Sequence, residues 1–449
     1  MKLIKKSLSF ITAIACCAAI SGIMPFSSSA EDSGTYGDLS YTKVDLNGDG
    51  TYDYISISGC KRSAVEVDIP AKIEGLPVAT IGIYAFAYCE SLTSITIPES
   101  VSQINIWAFK DCLSLISINI PDNVVYISSS AFYGCKSLTD INVTENNKYY
   151  SSSAGLLFDK NKTELIKCPA GKSLKNFNIP NGVKSLDRYS FCNCSNLTSI
   201  NIPESVTYIG IGAFYLCTNL KSIAIPDSVT KIENITFTGC SSLTSIYIPD
   251  SVTLTGLSGT FSGCTSLTNV KLPDVIYIIN TNTFAGCSSL LNIIIPDSVT
   301  SIKECAFYNC SNLTSITIPD SVASIENSAF YNCTSLKSIT LNNPDCEISN
   351  DKDTIPETAV ICGYENSTAQ AYAETYDRKF VLLIEYTETI LGDISGNGKI
   401  DLYDAIEIAK AIMGLRTFTD EEMIIADFNM DGTVDLYDAI EIARALLPK

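Results

Sequence analysis

Apolar positions recur with a fixed period through most of the chain. Each copy contains Leu-x-x-Ile-x-Ile-Pro, then Ser-Val-x-x-Ile, then Ala-Phe-x-x-Cys. The closing prolines are 23 or 24 residues apart within each run of copies, at Pro98 and Pro121 and again at Pro180, Pro203, Pro226, Pro249, Pro273, Pro296 and Pro319. A single copy has too few apolar residues for a core of its own, so successive copies must stack and share one. The pattern predicts a mainly β solenoid.

The two isoleucines of each Ile-x-Ile alternate with polar residues, which is typical of a strand with one buried face. Proline ends the strand because it cannot donate a ladder hydrogen bond. Successive strands are expected to pair in parallel, about 4.8 Å apart. The outward positions are mostly small and polar: Ser94, Thr96, Ser117, Asn119, Ser199, Asn201, Ser222, Ser245, Asn269, Ser315, Thr317, Ser338 and Thr340. Tyr247 is the only aromatic residue that we assign to this face, so the face gives no positive sign of a sugar site.

A row of tyrosines follows the core phenylalanine in four copies, at Tyr133, Tyr215, Tyr308 and Tyr331. Two interpretations stay open. The tyrosines line the face opposite the strands, or they are partly buried between coils. Only the first interpretation makes them a ligand surface.

The regular repeats extend over residues 85–341 with one interruption. The distance between Pro121 and Pro180 is not a multiple of the period. The inserted residues, about 145–176, contain two short apolar runs on either side of Asp159-Lys160-Asn161-Lys162. This arrangement predicts a β-hairpin between two coils.

Residues 31–84 and 342–386 flank the repeats and depart from their pattern. The first segment alternates polar and apolar residues about a turn-rich centre, which predicts a hairpin and capping region. The second contains Ser367-Thr368-Ala369-Gln370, a capping box that predicts a helix to about Tyr376. Because a solenoid needs an atypical last unit over its open core, we expect this segment to be the C-terminal cap.

The turn of the N-terminal hairpin contains Asp45, Asn47, Asp49 and Asp53, which match the start of a calcium loop. The alternative is that Asn-Gly and Asp-Gly form a simple turn between two strands. No helical pattern follows this loop, whereas EF-type loops lie between helices. The turn interpretation is therefore favoured.

Charge and histidine content exclude several classes of function. The 449-residue chain has a formal net charge of −19, from 30 basic and 49 acidic residues, which argues against a nucleic acid or anionic membrane partner. The chain has no histidine. Ser-His-Asp and Cys-His catalytic groups and His-ligated zinc are therefore excluded.

Residues 1–30 have the pattern of a secretory signal peptide. Lys2, Lys5 and Lys6 precede a mainly apolar run, and Ser28-Ser29-Ala30 is a small-residue cleavage site. The alternative is a retained membrane anchor, for which the apolar run is slightly short. We expect a secreted protein that is not in a membrane after cleavage.

Ten cysteines keep the period of the repeat: Cys89, Cys112, Cys135, Cys194, Cys217, Cys240, Cys264, Cys287, Cys310 and Cys333. Secreted proteins commonly form disulfides. One cysteine at the same position of each coil instead predicts a row of small, buried, free thiols. Among the other cysteines, Cys346 and Cys362 are the first pair to test for a disulfide.

A second duplication lies at the C-terminus, where DLYDAIEIA occurs at residues 401–409 and 435–443. Each copy overlaps a loop with oxygen ligands at calcium-ligand positions and a glycine that permits the sharp turn. The predicted ligands of two Ca²⁺ sites are Asp393, Ser395, Asn397, Lys399, Asp401 and Asp404, and Asp427, Asn429, Asp431, Thr433, Asp435 and Asp438. Ser395 and Asn397 carry no charge, so the first site is expected to be the weaker one.

Each loop continues into apolar residues at helical spacing, in residues 402–413 and 436–447. The recurring positions are Ile406, Ala409 and Ile412–Met413, and Ile440, Ala443 and Leu446–Leu447. Thr419 and Glu422 form a capping box and predict a short linking helix.

This duplicated loop–helix unit, residues 391–449, resembles a type I dockerin. The resemblance implies a small all-α domain that binds calcium and docks onto a cohesin of a scaffold protein. In that family, specificity lies near loop positions ten and eleven, which here are Leu402-Tyr403 and Leu436-Tyr437. These four are the predicted partner-binding residues, and two equivalent helices imply a dual binding mode. The alternative is that Leu-Tyr belongs to the domain's own core.

The repeat, with its Ala-Phe-x-x-Cys signature over residues 65–341, is similar to the BspA-like leucine-rich repeats of bacterial surface proteins. That resemblance implies a secreted or surface interaction protein and not an enzyme.

Together the two resemblances imply a non-catalytic part of a cellulosome-like, polysaccharide-degrading complex. We expect it to be extracellular and associated with the cell surface through a scaffold, with repeats that bind an unknown protein or glycan. Two alternatives stay open: a surface adhesin or protease-inhibiting component, and a polysaccharide-active hydrolase. The outward strand positions contain no acidic pair of the kind that glycoside hydrolysis requires, which disfavours the hydrolase.

Overall fold

The computed structural model describes residues 32–252, 258–383, 392–394, 400, 402–428 and 433–445. The chain divides into two compact units, Met1–Leu382 and Leu383–Lys449. The first unit is a β-solenoid and the second is a small helical domain, as the sequence predicts. The predicted signal peptide lies outside the described residues. No helix in the described ranges is long and apolar enough to cross a membrane.

The solenoid begins with the predicted hairpin. Its first strands are β1 (Ser33–Tyr36), β2 (Leu39–Val44), β3 (Tyr54–Cys60), β4 (Glu66–Asp68), β5 (Lys72–Ile73) and β6 (Leu76–Ile81). β1, β2 and β3 pair antiparallel in that order. β3 then pairs in parallel with β6, so the hairpin also forms the first rung of the solenoid.

The acidic turn between β2 and β3 binds its own backbone. The Asp45 carboxylate accepts hydrogen bonds from the N–H groups of Gly48 at 2.8 Å and Gly50 at 2.7 Å, and Asp53 accepts one from Leu46 at 2.8 Å. This loop is described throughout, and no group of three or more acidic side chains in the described residues is arranged to hold a metal ion. The loop is thus a hydrogen-bonded turn between two antiparallel strands.

Each coil contains one or two strands. The sequence pattern predicts only the longer strand of each coil. From the first coil to the last regular one they are β7 (Ser94–Thr96), β8 (Gln103–Ile104), β9 (Ser117–Ile120), β10 (Tyr126–Ile127), β11 (Asp140–Val143), β12 (Tyr150–Ser153), β13 (Leu156–Asp159), β14 (Glu164–Lys167), β15 (Asn176–Asn178), β16 (Ser185–Leu186), β17 (Ser199–Asn201), β18 (Tyr208–Ile209), β19 (Ser222–Ala224), β20 (Lys231–Ile232), β21 (Ser245–Tyr247), β22 (Asn269–Lys271), β23 (Ile278–Ile279), β24 (Ser301–Ile302), β25 (Ser315–Ile318), β26 (Ser324–Ile325) and β27 (Ser338–Leu341).

Both kinds of strand pair in parallel with their equivalents one coil away. In the longer ladder Ser315 is opposite Ser338, and in the shorter ladder Tyr208 is opposite Lys231. The isoleucines of Ile-x-Ile face the core, and the residues between them are exposed or half-buried, as predicted. The two-residue strands escaped the sequence analysis because they are too short to show a period of two.

The insertion separates two apolar cores. β12 pairs antiparallel with β13, and β13 with β14, while β14 pairs in parallel with β16. Side chains of β13 alternate between the cores: Leu157 packs in the N-terminal cluster, whereas Leu156 and Phe158 pack in the C-terminal one. The insertion therefore starts a second stack of coils as β3 starts the first.

The C-terminal cap contains the predicted helix, α1 (Thr368–Thr375), and three strands, β28 (Glu347–Ile348), β29 (Val360–Gly363) and β30 (Phe380–Leu382). Ser367 caps α1 by accepting a hydrogen bond from the Gln370 N–H at 3.2 Å. β29 and β30 extend the longer ladder beyond β27. Ala369, Tyr372 and Ala373 of α1 are buried against the end of the core.

Two side-chain ladders run through the cores. Core phenylalanines of consecutive coils stack at centroid distances of 5.2 Å to 5.8 Å. Beside them, eight of the periodic cysteines donate a thiol hydrogen bond to the carbonyl oxygen of a phenylalanine in the preceding coil; for Cys264 and Phe237 the distance is 3.2 Å. These cysteines are Cys112, Cys135, Cys217, Cys240, Cys264, Cys287, Cys310 and Cys333. Every cysteine in the described ranges is a free thiol, including Cys346 and Cys362.

Most tyrosines of the predicted row are partly buried. Tyr133, Tyr215 and Tyr308 are half-buried, and Tyr331 is 38% exposed. Tyr133 and Tyr215 lie near Tyr189, with ring centroids 6.0 Å and 6.2 Å from it. Only the last tyrosine of the row offers a sizeable exposed ring.

The phenylalanine stack is expected to dominate local stability. Phe261 is fully buried between Phe237 and Phe284, so Phe261→Ala should lower the free energy of unfolding by about 3–5 kcal/mol. The matched control is Tyr277→Ala, which removes a side chain that is 61% exposed and should cost less than about 0.5 kcal/mol. Urea unfolding followed by circular dichroism measures both, and equal effects would contradict the assignment.

Burial also predicts thiol reactivity. Desolvation raises the pKa of Cys264 to about 12, so the thiol stays protonated at pH 8 and should resist alkylation in the native protein. Cys362 is only partly buried and should react first. Because the folded pKa lies above that of the unfolded thiol, this group favours the native state at neutral pH and loses that contribution as pH rises from about 9 towards 12. Mass mapping after a short iodoacetamide pulse tests this, and early labelling of Cys264 would contradict it.

Candidate calcium sites and docking surface

The C-terminal unit contains α2 (Leu402–Ile412), α3 (Asp420–Ala426) and α4 (Leu436–Ala445). α2 and α4 begin at equivalent leucines at the ends of the two predicted loops. Thr419 and Glu422 form the predicted capping box of α3: the Thr419 hydroxyl accepts from the Glu422 N–H at 3.2 Å, and the Glu422 carboxylate accepts from the Thr419 N–H at 2.9 Å.

Packing decides which face of α2 is buried. Ile408 is fully buried and Ala405 nearly so, whereas Ile406 and Ile412 are each 43% exposed and Met413 is 64% exposed. The recurring apolar positions Ile406 and Ile412–Met413 therefore lie on the exposed side of the helix. Both stripes have helical spacing, and only packing against the neighbouring helices selects between them.

α4 repeats this arrangement. Ile442 is fully buried and Ala439 is 7% exposed, while Ile440 is 36% exposed. The buried residues of α2 and α4 form one core with Ile394 and Ala426. The two helices thus bury equivalent faces against each other and leave equivalent isoleucines outside.

Ion pairs connect α2 to the chain before α3. Arg416 lies 2.5 Å from a carboxylate oxygen of Glu407 and 2.5 Å from one of Glu422. Hydrogen bonds from Lys410 and then Arg416 lower the pKa of Glu407. These contacts hold the linker in place without occupying the predicted loops.

Three of the predicted ligands are buried carboxylates. Asp404 and Asp438, the last residue of each loop, are fully buried, and Asp393 is 6% exposed. Asp438 accepts a hydrogen bond from the Asp435 N–H at 2.9 Å. Burial of a carboxylate is costly unless hydrogen bonds or a cation compensate it. Oxygen donors of this kind, in a loop that ends at a helix, fit a hard cation such as Ca²⁺.

The other ligands are only partly placed. Asp427, Thr433 and Asp435 lie within the described residues. Ser395, Asn397, Lys399, Asp401, Asn429 and Asp431 lie outside them. Among the residues that are described, no group of three or more acidic side chains is arranged to hold a metal ion. The complete ligand sets stay a prediction.

The Leu-Tyr pairs lie outside the core as far as they are described. Leu402 is 62% exposed, Tyr403 is 63% exposed and Leu436 is 57% exposed. The side chain of Tyr437 is outside the described set. The interpretation of these pairs as core therefore does not hold for the three described side chains. The exposed Ile406 and Ile440, one turn further along each helix, enlarge this surface.

Comparison with family models supports both units. The model described as the BspA type leucine rich repeat region (6 copies) matches residues 60–170, 166–258 and 257–352. The chain belongs to the BspA-type leucine-rich repeat family. The model of the dockerin type I domain matches residues 391–447. The C-terminal unit of this leucine-rich repeat protein is therefore a dockerin, and both modules are of the interaction type. Type I dockerins bind calcium.

Several solved structures are similar to the repeat region. A leucine-rich repeat protein from Bacteroides ovatus is 27% identical, with 78% of this chain and 100% of that chain covered and a TM-score of 0.43. One from Eubacterium ventriosum is 24% identical, with 61% and 93% covered and a TM-score of 0.41. A leucine rich cell surface protein from Faecalibacterium prausnitzii is 22% identical, with 74% and 97% covered and a TM-score of 0.37. No curated protein matches the chain.

Calcium titration of the full chain is expected to resolve two unequal sites, with the second loop tighter because it holds more carboxylates. Asp438→Asn should weaken the tighter site by at least about tenfold, and the matched Asp404→Asn should weaken the other. Isothermal titration calorimetry distinguishes the two variants. Two equal sites in the native chain would contradict this assignment.

Proposed function

We propose that the protein is a secreted, non-catalytic component of a cohesin–dockerin complex of the cellulosome type. The dockerin attaches it to a scaffold cohesin in a calcium-dependent way, and the repeats present a binding surface for a protein or glycan. The observation that carries the proposal is the exposure of Leu402, Tyr403 and Leu436 directly beside the buried Asp404 and Asp438.

Calcium would act by organising this surface. Asp404 and Asp438 are buried at the starts of the two helices, where a bound cation would compensate their carboxylates. Leu402 and Leu436 lie two residues before those carboxylates on the same helices. Removal of the metal would therefore disturb the residues that contact the partner.

The two helices offer nearly the same chemistry to a partner. Leu402 matches Leu436, and Ile406 matches Ile440, in both sequence and exposure. Exposed apolar side chains on a small acidic module are typical of a protein-binding surface and not of a catalytic site. Either helix could therefore bind the same cohesin surface, which would permit two orientations.

Calorimetric titration of the full chain against a panel of cohesins should identify at least one that binds tightly in calcium and not after chelation. If calcium binds and no cohesin does, the docking proposal is wrong.

Paired variants test the dual mode. Leu402→Ala with Tyr403→Ala should leave binding nearly unchanged, because the second helix remains. Adding Leu436→Ala and Tyr437→Ala should weaken binding by more than about tenfold. The control is Tyr277→Ala, an exposed tyrosine of the solenoid. Complete loss in the first variant alone would exclude a second orientation.

A further inference from the structure

A cleft of about 390 Å³ lies where the repeats give way to the C-terminal cap. Its walls come from the last regular coil, from the segment before β29 and from the end of α1. The residues that matter for its chemistry are Tyr331, Lys352, Asp353, Glu357 and Arg378. This volume is within the range of small-ligand sites, and no part of the proposed docking role uses it.

One wall of the cleft is an exposed aromatic ring. Tyr331 stacks on Tyr308 with centroids 5.4 Å apart and an interplanar angle of 20°. Tyr308 covers one face of this ring, and Tyr331 is 38% exposed. An exposed aromatic ring that is supported by a second ring is a suitable platform for an apolar ligand face.

The lining also contains a guanidinium group that the protein holds in place. The Arg378 side chain is 11% exposed, one terminal nitrogen donates to the Lys352 carbonyl at 2.9 Å, and the other lies 3.9 Å from the Glu357 carboxylate. Its Nε atom is buried without a hydrogen-bond partner among the described residues. The protein thus positions this group in advance at the edge of the cleft.

Two further charged side chains, Lys352 and Asp353, also line the cleft. Neither the Lys352 ammonium group nor the Asp353 carboxylate has a hydrogen bond or ion pair within the described parts of the chain. The two cations and two carboxylates of the lining balance in charge. The cleft therefore suits an uncharged ligand that has both hydroxyl groups and an apolar face, and not an anion.

We propose that this cleft binds a sugar unit of a neutral polysaccharide. The C–H face of the pyranose ring packs on Tyr331, and its hydroxyl groups exchange hydrogen bonds with Asp353, Lys352 and Arg378. The proposal rests on the proposed function, because it names the class of ligand that the solenoid would bind within the complex. The site needs neither calcium nor the dockerin.

The test uses the full chain with soluble β-glucan, xylan and galactomannan, and with polygalacturonate as an acidic comparator, in affinity electrophoresis and calorimetry. Binding to at least one neutral polysaccharide is expected, with no change in EDTA. Tyr331→Ala should weaken it by about tenfold or more, and Tyr331→Phe, which keeps the ring, should retain it. Asp353→Asn should weaken it, whereas the exposed-tyrosine control Tyr277→Ala should not.

Other outcomes overturn the proposal. They are the absence of binding to every neutral polysaccharide, or preference for polygalacturonate. Binding that survives Tyr331→Ala but is lost in Trp107→Ala would move the site to the exposed pair Tyr84 and Trp107, whose rings stack 5.1 Å apart. Cohesin binding measured on the same samples separates the two proposals: glycan binding without cohesin binding contradicts only the docking role, and the reverse contradicts only this site.

Discussion

The contact between one coil and the next is the interaction on which the solenoid depends. At each step a phenylalanine ring packs on its equivalent, and in most coils a buried thiol donates to the carbonyl oxygen of the preceding phenylalanine. The thiol is small enough for the core and gives a carbonyl oxygen that already accepts a backbone N–H a second hydrogen bond. This accounts for the recurrent cysteines without any disulfide. Alanine at this position would remove the second hydrogen bond.

A stack of this kind has to be started and ended by something other than a repeat. At the start, β3 supplies an edge to which the first coil hydrogen-bonds. The insertion does the same through β14, and β13 presents Leu157 to one core and Phe158 to the other. At the end, α1 covers the last coil. Because the cap does not copy the coil that it covers, a cleft remains between them.

In the C-terminal unit, the same two helices have one buried face and one exposed face. Inward, Ile408 and Ile442 form the core; outward, Leu402 and Leu436 remain accessible. The buried carboxylates of Asp404 and Asp438 lie at the beginnings of both helices, so any cation held there would bear on folding and on presentation of the surface together.

Sequence alone determined the repeat, its inward isoleucines, the hairpins, the cap helix at Ser367 and the linking helix at Thr419, because each rests on local periodicity or capping chemistry. It also identified the two modules and the free thiols. The two-residue strands required the structure, because their hydrogen bonds join residues a whole coil apart. Packing alone decided that Ile408 and not Ile406 is buried, since both lie on stripes of helical spacing. Tyr331 and Arg378 belong to different patterns, and only the fold of the cap brings them to the same cleft.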